Sequence, residues 1–400
     1  MKTLYKVTYA QAVHDDEEKQ AVIDVLDSHE TILGHRTKKF EDQVAKLFGK
    51  RYGIMVNSGS SANFLAVHIL SLPAGSEVIT PILTFATTVA PLVQHNLIPV
   101  FVDAELGTYQ INIDQIERSI TKKTRLLMIP SLLGNIPDLQ KLRAMADRYN
   151  LIYIEDSCDT IGATFNSTPT GHYSDVSTSS FYGSHIITAG GGGGILCVND
   201  PHHDRQARIL RGWGRSSAVT ESDSIDDRFD DTALGIPYDN KYIFEAIGYN
   251  FLPMELGSAF GLVQLKKLPA FAKRRQHVFS QLIKFFKSYE ELFVLPWTLP
   301  EVSTAWLAFP ITIKKGAPFT RLEFAKYLEQ NAIQTRPLFS GNILRHPGFK
   351  SIPMRKDPAG YPVTDHIMEH SILLAAHHGL SDEQLDYMKE VIKKFIKKNV

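Results

Sequence analysis

Residues 53–72 read GIMVNSGSSANFLAVHILSL, and this stretch decides the fold class. GIMVNS (53–58) is an apolar run of strand length, and SSANFLAVHILSL (60–72) reads as a helix opening on serines suited to capping. A strand that turns through small residues into a helix is the repeating unit of an α/β domain. The alternation continues outward. EVITP (77–81) precedes the helix-like TFATTVAPLVQHN, and IPVFVD (98–103), RLLMIP (125–130), LIYIED (151–156), STSSFY (177–182) and GGILCV (193–198) are further strand candidates. Helices between several of them predict a largely parallel sheet. Upstream, the apolar spacing from Glu17 to Phe48 is mainly helical.

A long helical segment begins at MELGSAF (254–260), and a second α/β pattern follows it. WLAFPITIK (306–314), RLEFAKYLEQN (321–331) and SDEQLDYMKEVIKKFIKK (381–398) carry that pattern. The expected organisation is a large domain over 1–270 and a smaller C-terminal α/β domain over 271–400, with the N-terminal helix free to pack on the smaller one. The polar stretch Arg211–Tyr242, which includes the acidic ESDSIDDRFDD, is expected to form a long surface excursion.

Bulk composition narrows the function. In 400 residues, 43 basic and 43 acidic side chains cancel, which argues against a nucleic-acid partner. No apolar run approaches the roughly 18–20 residues that span a bilayer, so no membrane partner is expected. The opening MKTLYKVTYAQAVHDDEEKQ lacks the apolar stretch of a signal peptide, and a cytoplasmic location is expected. Two cysteines, Cys158 and Cys197, are too few for a disulfide framework or a four-cysteine iron–sulfur cluster. No metal site is expected.

Three segments carry chemistry. NSGSSAN (57–63) places backbone N–H groups and serine hydroxyls at a helix start, which suits a phosphate or simply a cap. IEDSCD (154–159) ends an apolar strand at Asp156, where ligands of open α/β sheets gather. SSFYGSHIITAGGGGG (179–194) sets His185 before five glycines that do not match the spaced dinucleotide fingerprint. A lone histidine is more often a structural group than a site.

Taken in order, these segments resemble the DegT/DnrJ/EryC1/StrS sugar aminotransferase and dehydratase family, of aspartate-aminotransferase fold (fold type I). The likeness also covers TPILTFATTVAPLV, PVFVD, LGTY, LGN and GYN (248–250), nearly the whole chain. It implies pyridoxal 5'-phosphate or its pyridoxamine form as cofactor. Gly59, Ser60 and Ser61 then lie nearest the phosphate, and Phe85 stacks on the pyridine ring. Asp156 holds the ring nitrogen protonated, which strengthens the ring as an electron sink. Asp159 falls near the ring hydroxyl, Ser180 contacts the phosphate, and Asn250 reaches the phosphate of a neighbouring subunit. The resemblance thus implies a homodimer with shared active sites.

His185 stands 29 positions after Asp156, where this family usually presents its Schiff-base lysine. No lysine occurs between Lys141 and Lys241, so no shift of register supplies one. An imidazole forms no stable imine; it moves protons. The histidine variant resembles the 3-dehydratases of nucleotide-linked 4-keto-6-deoxyhexoses in deoxysugar biosynthesis (O-antigen and lipopolysaccharide). His185 then takes a proton, the C3 hydroxyl leaves as water, and the products are a 4-keto-3,6-dideoxy sugar and ammonia. After GWGR the chain reads SSAVTESDSIDDRF, without the cysteines of the iron–sulfur subtype, so the resemblance favours the cluster-free form that takes its amino group from L-glutamate. Arg336 is the candidate for the glutamate carboxylate. The GYN segment lacks a basic residue common in relatives, and Gly191 stands where glutamate is common. Two other readings stay open: a sugar aminotransferase, and a catalytically silent homologue.

Overall fold

The computed structural model describes residues 6–219, 228–229 and 234–400. Most of ESDSIDDRFDD lies outside the described residues. Seven strands form the large sheet: β1 (Tyr52–Val56), β2 (Glu77–Pro81), β3 (Ile98–Val102), β4 (Thr124–Pro130), β5 (Ile152–Asp156), β6 (Val176–Ser180) and β7 (Gly194–Val198). Their order is β1-β7-β6-β5-β4-β2-β3. β7 pairs antiparallel with β1 and β6, and the other neighbours run parallel, so six strands share one direction. The expected α/β fold with a mostly parallel sheet is therefore what the chain forms.

Ten helices follow the same chain order: α1 (Asp16–Asp27), α2 (His35–Leu47), α3 (Gly59–His68), α4 (Ala86–Gln94), α5 (Leu139–Tyr149), α6 (Pro201–Arg211), α7 (Glu255–Phe286), α8 (Arg321–Gln330), α9 (Pro362–His370) and α10 (Asp382–Asn399), counted among the described residues. Helices cover the sheet, so β2, β6 and β7 are buried along their whole length. That is why these strands read as short continuous runs and not as alternating ones. The helical stretch Glu17–Phe48 is two helices, divided before Gly34, whose extended backbone starts α2. Among the described residues no helix is long and apolar enough to cross a membrane.

A smaller antiparallel sheet has the order β8 (Phe293–Val294), β9 (Phe309–Ile313), β11 (Ser371–Leu374), β10 (Arg336–Pro337). The 32-residue α7 serves both sheets. Leu268 joins the core around Phe40 and Phe181, whereas Val278, Leu282 and Phe286 join the core under the small sheet. Residue 270 thus falls inside an unbroken helix, and a division there separates packing surfaces only. Glu18 of α1 docks on α7 through Gln264 (2.7 Å) and Lys267 (2.8 Å), while Val7 enters the small-sheet core.

Arg211 corrects one expectation. It does not open a surface excursion; it is the last residue of α6 and only 1% exposed. Its guanidinium donates to Glu41 Oε1 (2.7 Å) and to the Met55 carbonyl (2.8 Å). Arg208 donates to the other Glu41 oxygen (3.0 Å), and Glu41 also accepts the Met55 N–H (2.8 Å). Glu41 therefore ties α2, β1 and α6 together in a dry setting. Glu41→Ala leaves the buried Arg211 guanidinium without its carboxylate, while Arg208 keeps Asp204 at 2.9 Å, and should cost about 3–5 kcal/mol, read as a lowered urea midpoint. A loss below about 1 kcal/mol, the range of exposed pairs, would show that the network carries little.

Candidate active site

All six parallel strands end at one edge, and a cavity of about 380 Å³ opens there. Its walls come from separate connections: the start of α3, Phe85 after β2, Asp156 and Asp159 after β5, and Ser180 and His185 after β6. Ligands collect at this edge of open α/β sheets because helix starts and loop backbone converge on it.

One end of the cavity could cradle an anion. The first turn of a helix leaves N–H groups without intrahelical partners. Ser58 caps α3 by accepting the Ser61 N–H at 3.1 Å, so Gly59 and Ser60 remain to face the cavity. Two close approaches position that turn. A Cβ on Gly59 would stand 2.6 Å from the Ser180 Cβ, and one on Gly194 would stand 2.3 Å from the Ser58 carbonyl. Only glycine lets α3 begin against β6 and β7.

The floor is Asp156, 5% exposed at the end of β5. Its Oδ2 accepts from Asn63 (2.8 Å) and Thr88 (2.8 Å), and Oδ1 from the Cys158 N–H (3.2 Å). Asn63 is in turn oriented by Thr178, which donates to its carbonyl at 2.6 Å. Asp156 thus has neutral donors and no cation in contact among the described residues. A cationic N–H entering the cavity would complete it. Phe85, 53% exposed, presents its ring over the cavity.

His185 and Asp159 sit across the wall from one another, Nε2 to Oδ1 at 3.9 Å. Burial holds the imidazole well below its usual range, at about 4; the Arg275 charge also lowers it, against the Ser180 carbonyl and Asp156. Burial pushes the Asp159 carboxyl up to about 7, opposed by the Leu133 N–H and reinforced by Asp156. With the imidazole held neutral, their separation is a contact and not an ion pair. His185 Nδ1 lies 3.2 Å from the Ser180 carbonyl, which can only accept. Nδ1 therefore carries the ring proton, and Nε2 keeps its lone pair toward the cavity.

Seven of the ten candidate residues line one cavity: Gly59, Ser60, Phe85, Asp156, Asp159, Ser180 and His185. Three lie elsewhere. Ser61 turns its hydroxyl to Asn57 (2.7 Å), so it shapes the turn from behind. Asn250 is exposed and pairs through its backbone with Gly212. Arg336 is exposed, donates to the Thr335 carbonyl and rests 5.5 Å from the Tyr9 ring. The sequence reading missed Asn63, Thr88 and Tyr9. Asn63 was visible as one helical turn after Gly59; Tyr9 left no local signal, since it reaches the cavity from the N-terminal strap.

Residues 12–393 match the profile of the DegT/DnrJ/EryC1/StrS aminotransferase family. The chain is 36% identical to a dTDP-4-dehydro-2,6-dideoxy-D-glucose 3-dehydratase of Saccharopolyspora spinosa, over 97% of its own length and 86% of the relative's. In structure it is similar to the E. coli GDP-4-keto-6-deoxy-D-mannose-3-dehydratase with bound hydrated PLP, at a TM-score of 0.89 and 28% identity, covering 97% of this chain and 99% of that one. A GDP-4-keto-6-deoxymannose-3-dehydratase with a trapped PLP-glutamate geminal diamine matches at a TM-score of 0.88 and 28% identity, covering 97% and 100%.

The two shifted groups act on stability with opposite signs. Unfolded histidine binds its proton below about 6.5, whereas folded His185 waits until about 4, so its contribution is lost as pH falls through that window. Folded Asp159 holds a proton up to about 7 that the unfolded chain releases near about 3.9, so its contribution is lost as pH rises through that window. In Asp159→Asn, stability should rise between about pH 4 and 6.5 more steeply than in the wild type; in His185→Asn it should fall between about pH 4 and 7. Urea unfolding across pH 4–7 decides it, and parallel curves for all three proteins would sink both assignments.

Proposed function

The chain belongs to the DegT/DnrJ/EryC1/StrS aminotransferase family, and from that premise we propose that it removes the C3 hydroxyl of a nucleotide-linked 4-keto-6-deoxyhexose, using pyridoxal phosphate in its pyridoxamine form and L-glutamate as amino donor. The observation that carries the reading is His185. It offers Nε2 to the cavity, and no lysine lines that cavity among the described residues. A base that cannot bond covalently to an aldehyde favours proton transfer over transimination.

The residues present fit the cofactor. The start of α3 and Ser180 would hold a phosphate, Phe85 would cover a flat ring, and Asp156 lacks the cation that a protonated ring nitrogen supplies. When bound, the group supplies an amine for the sugar ketone and a ring that stores an electron pair. His185 Nε2 is the atom placed to take a proton inside the cavity. Asn63 and Thr88 keep Asp156 aimed at the ring position, and Phe85 and Leu307 give the cavity an apolar wall. The neighbour with a trapped PLP-glutamate adduct supports glutamate as donor. Arg336 beside Tyr9 is the proposed seat of the donor's carboxylate, and the exposed Asn250 is proposed to serve the phosphate of a second copy in a homodimer.

Incubation with glutamate and a 4-keto-6-deoxy nucleotide sugar should yield ammonia and a 3-deoxy ketone; an amino sugar would move the assignment to aminotransferase. His185→Asn should lower the rate by about 10²–10⁴-fold. His185→Lys should let borohydride fix the cofactor covalently to the chain. Failure to fix any would refute the placement of residue 185, and a chain that binds no cofactor would mark a silent homologue.

A further inference from the structure

His185 and Asp159 are each pinned by one atom and left free at the other. His185 gives Nδ1–H to the Ser180 carbonyl, which orients the imidazole, and its ring centre lies 6.1 Å from that of Tyr182 in a T-shaped arrangement. Asp159 Oδ2 accepts the Leu133 N–H at 2.9 Å, where Leu133 is held at a φ of 61°. The remaining atoms, Nε2 and Oδ1, are the ones that face each other at 3.9 Å, and both residues line the cavity. That gap is longer than a hydrogen bond and short enough to close by a small side-chain movement or one bridging water.

We propose that Asp159 and His185 form a two-site proton carrier: Nε2 receives the proton that the reaction removes, and Asp159 delivers its own to the departing C3 hydroxyl. The proposal rests on the dehydration reading above. One C–H bond breaks and an N–H bond forms at Nε2. The freed electron pair becomes a π bond, and the C3–O pair leaves on oxygen, where the Asp159 proton completes water. Nε2–H then returns its proton to Oδ1, and the pair ends as it began, with no oxidant or reductant needed.

An ordinary Asp–His contact is a carboxylate beside an imidazolium, which could neither donate from the acid nor accept at the base. Here the surroundings reverse that order. Asp159 keeps its proton up to about 7 and His185 stays unprotonated down to about 4. A pair of titratable groups pushed apart in this way assigns acid and base. The neighbours act consistently. Asp156, on the same segment, disfavours a second negative charge at Asp159, although its pull on His185 runs the other way. Arg275 of α7 repels charge on His185 and has no carboxylate partner among the described residues; it donates to the Trp306 and Leu307 carbonyls and to His378. Tyr9 and Cys158, the other titratable groups beside Asp159, are held protonated mainly by burial. Because both forms of the pair carry the same net charge, the shuttle leaves the net charge of the cavity unchanged.

The test compares the holoenzyme of the wild type with Asp159→Asn and Asp159→Glu. Water loss should fall about 10²-fold or more in Asp159→Asn, while deuterium wash-in at the carbon that His185 deprotonates stays within about tenfold of wild type. Asp159→Glu should recover part of the water loss, and wild-type kcat should decline as pH rises through about 7. Infrared spectra of the protein without sugar should show a protonated carboxyl band at pH 6 that disappears through about pH 7 and is missing in Asp159→Asn. If wash-in and water loss fall together, Asp159 merely orients His185 and the proposal is overturned. A wild type with no such band at pH 6 overturns it as well. A wild type that makes an amino sugar overturns the dehydration reading and with it the hydroxyl role of Asp159, whereas the infrared band still reports whether the pair is held neutral.

Discussion

The site depends first on a steric constraint, the contact of the α3 start with the ends of β6 and β7. Gly59 and Gly194 leave room that any Cβ would fill, by 2.6 and 2.3 Å to its nearest neighbours. Because the backbones meet there, the turn after β1 and the His185 loop after β6 open into one cavity. A sheet with β7 inserted antiparallel between β1 and β6 makes this possible. It brings two parallel strands, far apart in sequence, to a common edge with a single strand between them.

Within that cavity, desolvation outweighs pair attraction. His185 and Asp159 are close enough for an ion pair to be expected, yet burial moves each toward its neutral form. At an exposed position the same residues would titrate near their ordinary values and attract one another. The walls that exclude water therefore settle the protonation states, and the chemistry follows from the walls. Arg275 belongs to the same design: a buried cation that donates to carbonyls and a histidine, and to no acid among the described residues, biases the imidazole toward neutrality from outside the cavity lining.

Much of this was legible in the residues. Strands buried on both faces announce themselves as short apolar runs, and β2, β4 and β5 fall within a residue of the runs that suggested them. The cavity residues were found where they sit on motifs, because Gly59, Asp156 and His185 occupy positions fixed by strand ends. What local sequence could not convey was direction. Ser61 shares its turn with Ser60 but points the other way, since the cap of α3 consumes its N–H and its hydroxyl reaches back to Asn57. Arg211 looked like the first residue of a polar excursion, and its partner Glu41 lies 170 residues away. Tyr9 enters from a strap that pairs with the far end of the chain, at Ile333. Contacts of that separation leave no periodicity to read.

A histidine at position 185 also changes what must hold the cofactor. A lysine would anchor it by a bond; on the proposed reading an imidazole leaves retention to contacts at the α3 start, the Asp156 floor and the Phe85 ring, all of which line the cavity. Each of these is braced by neighbours: Ser58 and Asn57 at the turn, Asn63 and Thr88 on Asp156, and Phe339 with its ring centre 6.1 Å from that of Phe85. Such bracing limits the freedom lost on binding, so noncovalent contacts retain more of their worth. On the proposed reading, the histidine that provides no tether leaves position 185 free to carry protons. On that reading the bracing residues matter to the histidine's chemistry as much as the ring nitrogen itself.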